Sequence, residues 1–258
     1  FKQKTAYDIP LRLVGSEMCI RDSHIIMSKN KFIKGKFIKR YKRFFVDVQL
    51  DSKEIVTAHC PNTGSMMGLL QKNNTVYLTK ADDPKRKLKY TLEIIQSNKA
   101  NVGVNTHKAN RIVEEALISQ SIRDLGKITS YKREVKYGKN SRIDFLIMKN
   151  KEQIYLEVKN VTLSRKNGLA EFPDAVTERG LKHLLELANL KEKNTRKIMF
   201  FLIQRDDCEK FQIASDIDLN YFKAFKKAKK MGVEMISYDC SFGNDNISVN
   251  NRINLIIE

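Results

Sequence analysis

Cysteine is scarce: 258 residues hold four, and no two stand in a Cys-x-x-Cys spacing. A structural zinc site and a disulfide scaffold therefore lack their ligands, and a reducing, cytoplasmic setting is expected. Long apolar runs are missing too, so the sequence offers no candidate for a spanning helix. There is no glycine-rich phosphate loop, internal repeat or low-complexity tract, which leaves nucleotide hydrolysis and a nucleotide cofactor without support. Acidic residues are under-represented: 30 Asp and Glu face 48 Lys and Arg, giving a formal net charge of +18 and a pI near 9.7. Such an excess selects a polyanionic partner, nucleic acid first. A membrane surface is the weaker choice, because no apolar run accompanies the charge.

What is present begins oddly. Leu13 to Asp22 is the translation of CTC GTG GGC TCG GAG ATG TGT ATA AGA GAC, a transposase adapter used in building sequencing libraries, and Ser23 continues it. Residues 1–26 are therefore expected to be a library artefact, with Met27 as the native start. A targeting tail fits less well: Leu11 to Val14 is too short for a signal-peptide core, and Asp8, Glu17 and Asp22 are unlike a transit peptide. The stretch carries four Lys or Arg and three Asp or Glu, so the remaining 232 residues keep a net charge of +17. That length suffices for one large or two small domains with their own cores. Cys60, Cys208 and Cys240 remain, an odd number.

The stretch from Ser141 to Lys159 organises the chain. Two apolar runs, Ser141 to Met148 and Ile154 to Lys159, flank a polar break at Lys149 to Lys151, which predicts a pair of antiparallel strands. Glu157 and Lys159 are two apart and share a strand face, and the hairpin can set Asp144 beside them. Two carboxylates can hold Mg²⁺ or Mn²⁺, with a lysine to orient water or offset charge on a phosphate in flight. The plainer alternative is a cross-strand ion pair on a wet sheet face. The apolar neighbours Ile143, Phe145, Leu156 and Val158 argue for burial, and buried acids need partners or a metal.

These residues also carry a resemblance. A helix with an acid, then strands bearing Asp144 and Glu157-Val158-Lys159, then a helix, is similar to the core of the PD-(D/E)xK nuclease superfamily, with Ile143 standing where its name has Pro. Met27 to about Phe242 resembles, more specifically, the sugar fermentation stimulation protein A family of bacterial DNA-binding proteins. The matching segments are Arg40 to Phe44, Ala58 to Ser65, Pro84 to Leu88, Val102 to Asn110, Glu134 to Gly138, Ser141 to Phe145, Glu157 to Leu163 and Phe172 to Leu187. The resemblance implies an α/β (α+β) chain, an OB-like β-barrel over 27–105 followed by a mixed-sheet nuclease-like domain over 106–258. It also implies that Glu115, on the first helix, joins Asp144 and Glu157 at the metal.

Short β-like runs fill the first part: Phe32 to Val48, Ile55 to Ala58, Val76 to Thr79, Leu88 to Ser97 and Val102 to Val104, which suit a small barrel. Nucleic-acid-binding barrels use basic grooves and aromatic platforms, and Arg40, Tyr41, Lys42, Arg43, Phe44 and Phe45 supply both, or else form a core and a solvated edge. Pro61-Asn62-Thr63-Gly64 reads as a turn whose backbone donors can reach phosphate. His59 and Cys60 before it lack a second pair to close a zinc site. His59 and Asn62, within a segment that carries the resemblance, are expected as nucleic-acid contacts. Lys85, Arg86 and Lys87 add a cationic loop.

From Thr106 the period becomes helical, through Ile112, Val113, Ala116 and Leu117. Val161 to Phe172 reads as a long loop. A helix follows from about Asp174 to Leu190, with Arg179 and His183 one turn apart on a shared face. The family resemblance singles both out, and if that face looks at the carboxylates, Arg179 can clamp a phosphate and His183 assist proton transfer or bind the backbone. Lys197 to Gln204, Leu219 to Met231 and Val233 to Tyr238 then alternate strand, helix, strand. The lysines around Phe222 and Phe225 read as a solvated face. Two functions stay open: a metal-dependent DNA nuclease, and a non-catalytic DNA-binding regulator of sugar metabolism genes. A homo-oligomer is compatible with either.

Overall fold

The computed structural model describes residues 18–19, 31–138 and 141–257. Apart from the strand β1 (Met18–Cys19), the expectation for residues 1–26 lies outside the described residues.

Strands β2 (Ile33–Tyr41), β3 (Phe45–Leu50), β4 (Ile55–His59), β5 (Thr75–Lys80), β6 (Tyr90–Ser97) and β7 (Ala100–Gly103) run in the order β4-β3-β2-β5-β6-β7. Alternation of buried with half-exposed residues in β3, β4 and β5, and a continuous buried run in β6, build this first unit. A parallel pairing of Ala58 with Tyr90 and His59 with Thr91 closes the sheet into a barrel. Val46, Val48, Val76, Leu78, Leu92 and Ile95 fill it, each almost wholly buried. Burial of each contributes roughly 1.5–3 kcal/mol. Gly35 is required where β2 crosses β3: a Cβ there would stand 2.5 Å from Val48 Cγ1 and 2.8 Å from the Gln49 carbonyl. The run expected to be continuous from Phe32 to Val48 is a hairpin, because Lys42 and Arg43 adopt positive φ of 47° and 62° and reverse the chain.

The second unit is a seven-stranded mixed sheet of β1, β8 (Ser130–Tyr137), β9 (Ser141–Lys149), β10 (Glu152–Val161), β13 (Thr195–Ile203), β15 (Val233–Phe242) and β16 (Ile247–Arg252), in that spatial order. Strands β8, β9 and β10 are antiparallel; β10, β13 and β15 are parallel. Helix α1 (Ala109–Ile118) packs on one face through Ile112, Val113, Ala116 and Leu117. Helices α2 (Glu178–Ala188) and α3 (Leu219–Lys230) pack on the other through Leu184, Leu187, Tyr221 and Phe225. The chain is thus an OB-like barrel followed by a mixed-sheet domain.

One expectation fails here. Val161 to Phe172 is not a long loop: β11 (Leu163–Lys166) and β12 (Gly168–Phe172) form a hairpin whose turn uses Gly168 at φ 72°. It belongs to a second sheet with β14 (Cys208–Ile213) and β17 (Asn254–Ile256), and the parallel partner of β12 lies some forty residues downstream. Buried Leu163 and Ala170 hold it, against the polar look of Arg165 and Lys166.

The two units share packing. Ile94 of the barrel joins the core beneath α1, with Phe32 and Tyr77 against it. Gly103 N donates to the Gln204 carbonyl at 2.9 Å, Asn101 bonds Asp206 twice, and the Thr106 hydroxyl donates to the Pro61 carbonyl at 2.7 Å. No helix among the described residues is long and apolar enough to cross a membrane.

Candidate functional site

Strand β10 divides its side chains between two faces. Ile154, Leu156 and Val158 enter the core beneath α1, while Tyr155 enters the opposite core, the side that Glu157 and Lys159 share by alternation. The β9–β10 ladder stops at Phe145 opposite Leu156. Beyond it the strands part, and the Asp144 carboxylate takes the place of a backbone carbonyl: Oδ2 accepts from Val158 N at 2.7 Å. Oδ1 accepts from Asn110 Nδ2 of α1 at 2.8 Å. Glu157 is 2% exposed, and its Oε1 accepts from Lys159 Nζ at 2.8 Å and faces His183 Nδ1 of α2 at 2.5 Å. Its Oε2 is buried without a hydrogen-bond partner.

The two acids differ electrostatically. Burial, then the charge of Glu157, pushes Asp144 up to about 6, with Val158 N–H, Asn110 and Lys159 pulling the other way. Burial also raises Glu157, but the hydrogen bond from His183 and the Lys159 ammonium outweigh it and hold the carboxyl below its ordinary value. Tyr137, whose hydroxyl faces the His183 carbonyl, is raised by burial and then by Glu157. Two carboxyl groups pushed apart in one buried place make this a candidate site.

Above them opens a cleft of about 610 Å³ lined by Asp144, Glu134, Arg142, Arg179, Lys182 and His183, among others. Helix α2 delivers Arg179, Lys182 and His183 from its first turns. The Thr177 hydroxyl caps it by accepting from Gly180 N at 3.1 Å, and the close fit of Gly180 beneath Thr177 leaves no room for a Cβ. Glu134 sits at the mouth with φ of 53°, between Arg133 and Val135, which pair with Phe145 and Ile143. A non-glycine residue in that conformation is strained, and such strain gathers at functional sites.

The structure brings together Asp144, Glu157, Lys159, Arg179 and His183. It does not bring Glu115 to them. Glu115 pairs with Arg111 at 3.0 Å and lines a different cleft with Phe32 and Ile247, because five residues along α1 turn it away from Asn110. Among the described residues no group of three or more His, Cys, Asp or Glu side chains gathers as a metal-ligand set.

On the barrel, Lys42 and Arg43 are exposed at the β2–β3 tip beside Phe44, which is 46% exposed, and Tyr41 stacks on Phe45 at 5.5 Å. Arg40 is committed otherwise: its guanidinium donates to the carbonyls of Asn62 at 2.6 Å, Gly64 at 3.1 Å and Arg43 at 3.1 Å. Asn62 is buried, and its Oδ1 accepts from Gly64 N at 2.9 Å, so this turn spends its groups internally. Lys85 and Lys87 are exposed on their loop, and Arg86 meets His59 in a separate cleft. Asn110, Glu134, Arg142 and Lys182 escaped attention in the sequence. All four lie in segments that carry the family resemblance, but only strand register and helix placement reveal what they face.

Residues 107–246 match the family described as "Sugar fermentation stimulation protein RE domain", and residues 38–104 match "SfsA N-terminal OB domain". A sugar fermentation stimulation protein homolog of Pelagibacter ubique is 52% identical over 224 residues, 87% of this chain and 96% of that protein. The chain belongs to the sugar fermentation stimulation protein family. A family homolog of Brucella anthropi is 45% identical over 222 residues, covering 86% of this chain and 96% of the homolog. The solved structure of Pyrococcus furiosus SfsA in complex with Ca²⁺ superposes with a TM-score of 0.78 at 24% identity, covering 88% of this chain and 96% of that one. At that identity the likeness establishes the shared fold of this family member.

Proposed function

We propose that the protein is a metal-dependent nuclease that hydrolyses phosphodiester bonds in DNA. One observation carries the reading: Glu157 Oε2 is buried and unpartnered beside Asp144, whose ionisation its neighbour opposes, under a cleft rimmed by Arg142, Arg179 and Lys182. Two hard carboxylates with an unused oxygen fit a divalent cation, and the Ca²⁺ complex of the Pyrococcus furiosus protein is in keeping with that chemistry. Asp144 and Glu157 would hold Mg²⁺ or Mn²⁺, which supplies Lewis-acid polarisation of the phosphodiester and a more acidic water.

This chain's own residues do the rest. Arg142, Arg179 and Lys182 bind the phosphate oxygens, a task suited to the guanidinium fork. Lys159, anchored on Glu157, retains donors to orient the attacking water and to offset charge on the phosphate. His183 fixes the Glu157 carboxylate from the opposite side. Asn110 and Val158 N–H hold the Asp144 carboxylate in place. The barrel tip at Tyr41, Lys42, Arg43 and Phe44 offers stacking and charge to the nucleic acid. Cys60, Cys208 and Cys240 are free and buried, in keeping with a cytoplasmic protein.

One observation favours a second reading, a DNA-binding regulator without cleavage: the first helix reaches the Asp144 carboxylate with an amide, Asn110, and not with an acid. The discriminating experiment incubates the protein with supercoiled and single-stranded DNA in Mg²⁺, Mn²⁺ or EDTA beside Asp144→Ala purified identically. Metal-dependent cutting lost in the variant supports the nuclease. Binding by both proteins without cutting supports the regulator.

A further inference from the structure

A cationic seam lies between the barrel and the first helix, apart from the carboxylate cleft. There a cleft of about 420 Å³ is lined by His59 at the end of β4, Arg86 of the β5–β6 loop, His107 and Lys108 of the 3₁₀ turn before α1, and Arg111 in the first turn of α1. Glu93 and Asp245 are the acids that face them. Glu93 is already spent: its oxygens accept from the Thr79 hydroxyl at 2.6 Å and the Asn105 amide at 2.9 Å, and Lys108 lies 3.1 Å away. Arg86 gives one donor to the Thr91 hydroxyl, and Arg111 is paired with Glu115. Burial first, then the nearby Arg86 and His107, lower the His59 pKa. Asp245 is the other acid at the cleft, and His59, Arg86, His107, Lys108 and Arg111 outnumber the two, a lining that suits an anion.

Its position sets what that anion is. Asn110 reaches Asp144 from the first turn of α1, while the adjacent Arg111, a hundred degrees around the helix, faces the seam. The two clefts therefore lie on adjacent faces of one helical turn, closer together than the helix diameter of about 10–12 Å. Successive phosphates of one strand lie further apart than the axial rise of about 3.4 Å, so two clefts this close are within reach of neighbouring phosphates of one strand. The Thr106–Pro61 hydrogen bond fixes this helix start against the barrel, so the spacing is held by the fold.

We propose that the seam of His59, Arg86, His107 and Lys108 is a second phosphate site, which takes a backbone phosphate of the strand whose other phosphate occupies the carboxylate cleft. The proposal rests on the nucleic-acid reading above and adds to it a substrate that must extend past the cutting point towards the barrel.

The test measures binding in EDTA, so that cleavage plays no part. A dye-labelled single-stranded DNA of about 12 nucleotides is titrated with the full chain by fluorescence anisotropy. His59→Gln/His107→Gln, Arg86→Gln and Arg86→Lys are compared with Lys229→Gln on the far helix as the charge control. The proposal expects Arg86→Gln to weaken binding about three- to tenfold and to lower the salt slope by about one contact. Arg86→Lys should recover most of that loss, and the control should bind within about twofold of the parent. Arg86 is an exposed loop residue, so its variants keep the test alive should the double histidine variant fail to fold. If the parent chain binds no DNA, the nucleic-acid reading falls and the seam with it. Parent-like binding by every folded seam variant overturns the seam alone. Inorganic phosphate that displaces the DNA at concentrations near that of the protein would mark a site for the free anion and also overturn the assignment.

Discussion

Asn110 Nδ2 donates to Asp144 Oδ1 at 2.8 Å, so the first helix meets the buried carboxylate with an amide. Asn110→Ala would strip one donor from a largely buried acid, which costs about 1–3 kcal/mol of folding stability. Asn110→Asp would instead bring a third carboxylate to the group. In EDTA that variant should be less stable than Asn110→Ala, and added Mn²⁺ should stabilise it more than it stabilises the parent. Urea denaturation with and without metal checks both, and equal response of all three proteins to Mn²⁺ would remove the metal from this site.

The raised ionisation of Asp144 makes stability depend on pH with a definite sign. Its folded value of about 6 lies above its ordinary 3.8, so the folded state holds the proton longer than the unfolded state does. Stability from this group is fully present below the unfolded value and is lost as pH rises through 6. The difference corresponds to roughly 3 kcal/mol. In EDTA the parent should therefore lose about that much relative to Asp144→Asn between pH 4 and pH 7, measured by denaturation at each pH. A flat difference would mean that neither burial nor the Glu157 charge holds the proton on Asp144.

The hairpin carrying these acids was legible because the code for it is local: apolar runs of strand length on either side of Lys149 to Lys151 became β9 and β10. The helices were legible for the same reason, with apolar residues at helical spacing giving α1, α2 and α3. Strands β12 and β14 were not, since each exists by pairing with residues far along the chain and neither alternates cleanly. Glu115 was misplaced for a rotational reason. A resemblance aligns a helix but not its phase, and Asn110 rather than Glu115 occupies the face turned to Asp144.

Binding and cutting should separate at Glu157. Glu157→Gln keeps the side chain's shape but removes the charge that anchors Lys159 and His183, so cutting should fall at least a hundredfold. Affinity for DNA in EDTA should hold or rise, because a negative charge has left a phosphate cleft. Lys159→Met should also abolish cutting while lowering affinity only modestly. Parallel loss of binding and cutting in both variants would assign these residues to the fold instead.

Arg40 tests whether a basic residue in a nucleic-acid-binding barrel contacts the ligand or builds the barrel. Its guanidinium ties the carbonyls of Asn62 and Gly64 to β2, 22 and 24 residues away in sequence, and those of the neighbouring hairpin tip. Removing it leaves these acceptors competing for water at a part-buried seam, a cost of about 1–3 kcal/mol. Arg40→Lys should recover little, because one ammonium cannot span three carbonyls set by a planar fork. Lys42→Gln and Arg43→Gln lie at the exposed tip and should leave stability unchanged while reducing the salt slope of DNA binding by about one contact each. Thermal melts and salt-dependent titrations of the same three variants decide it. A stable Arg40→Lys with weakened DNA binding would reverse the assignment and make Arg40 a ligand contact.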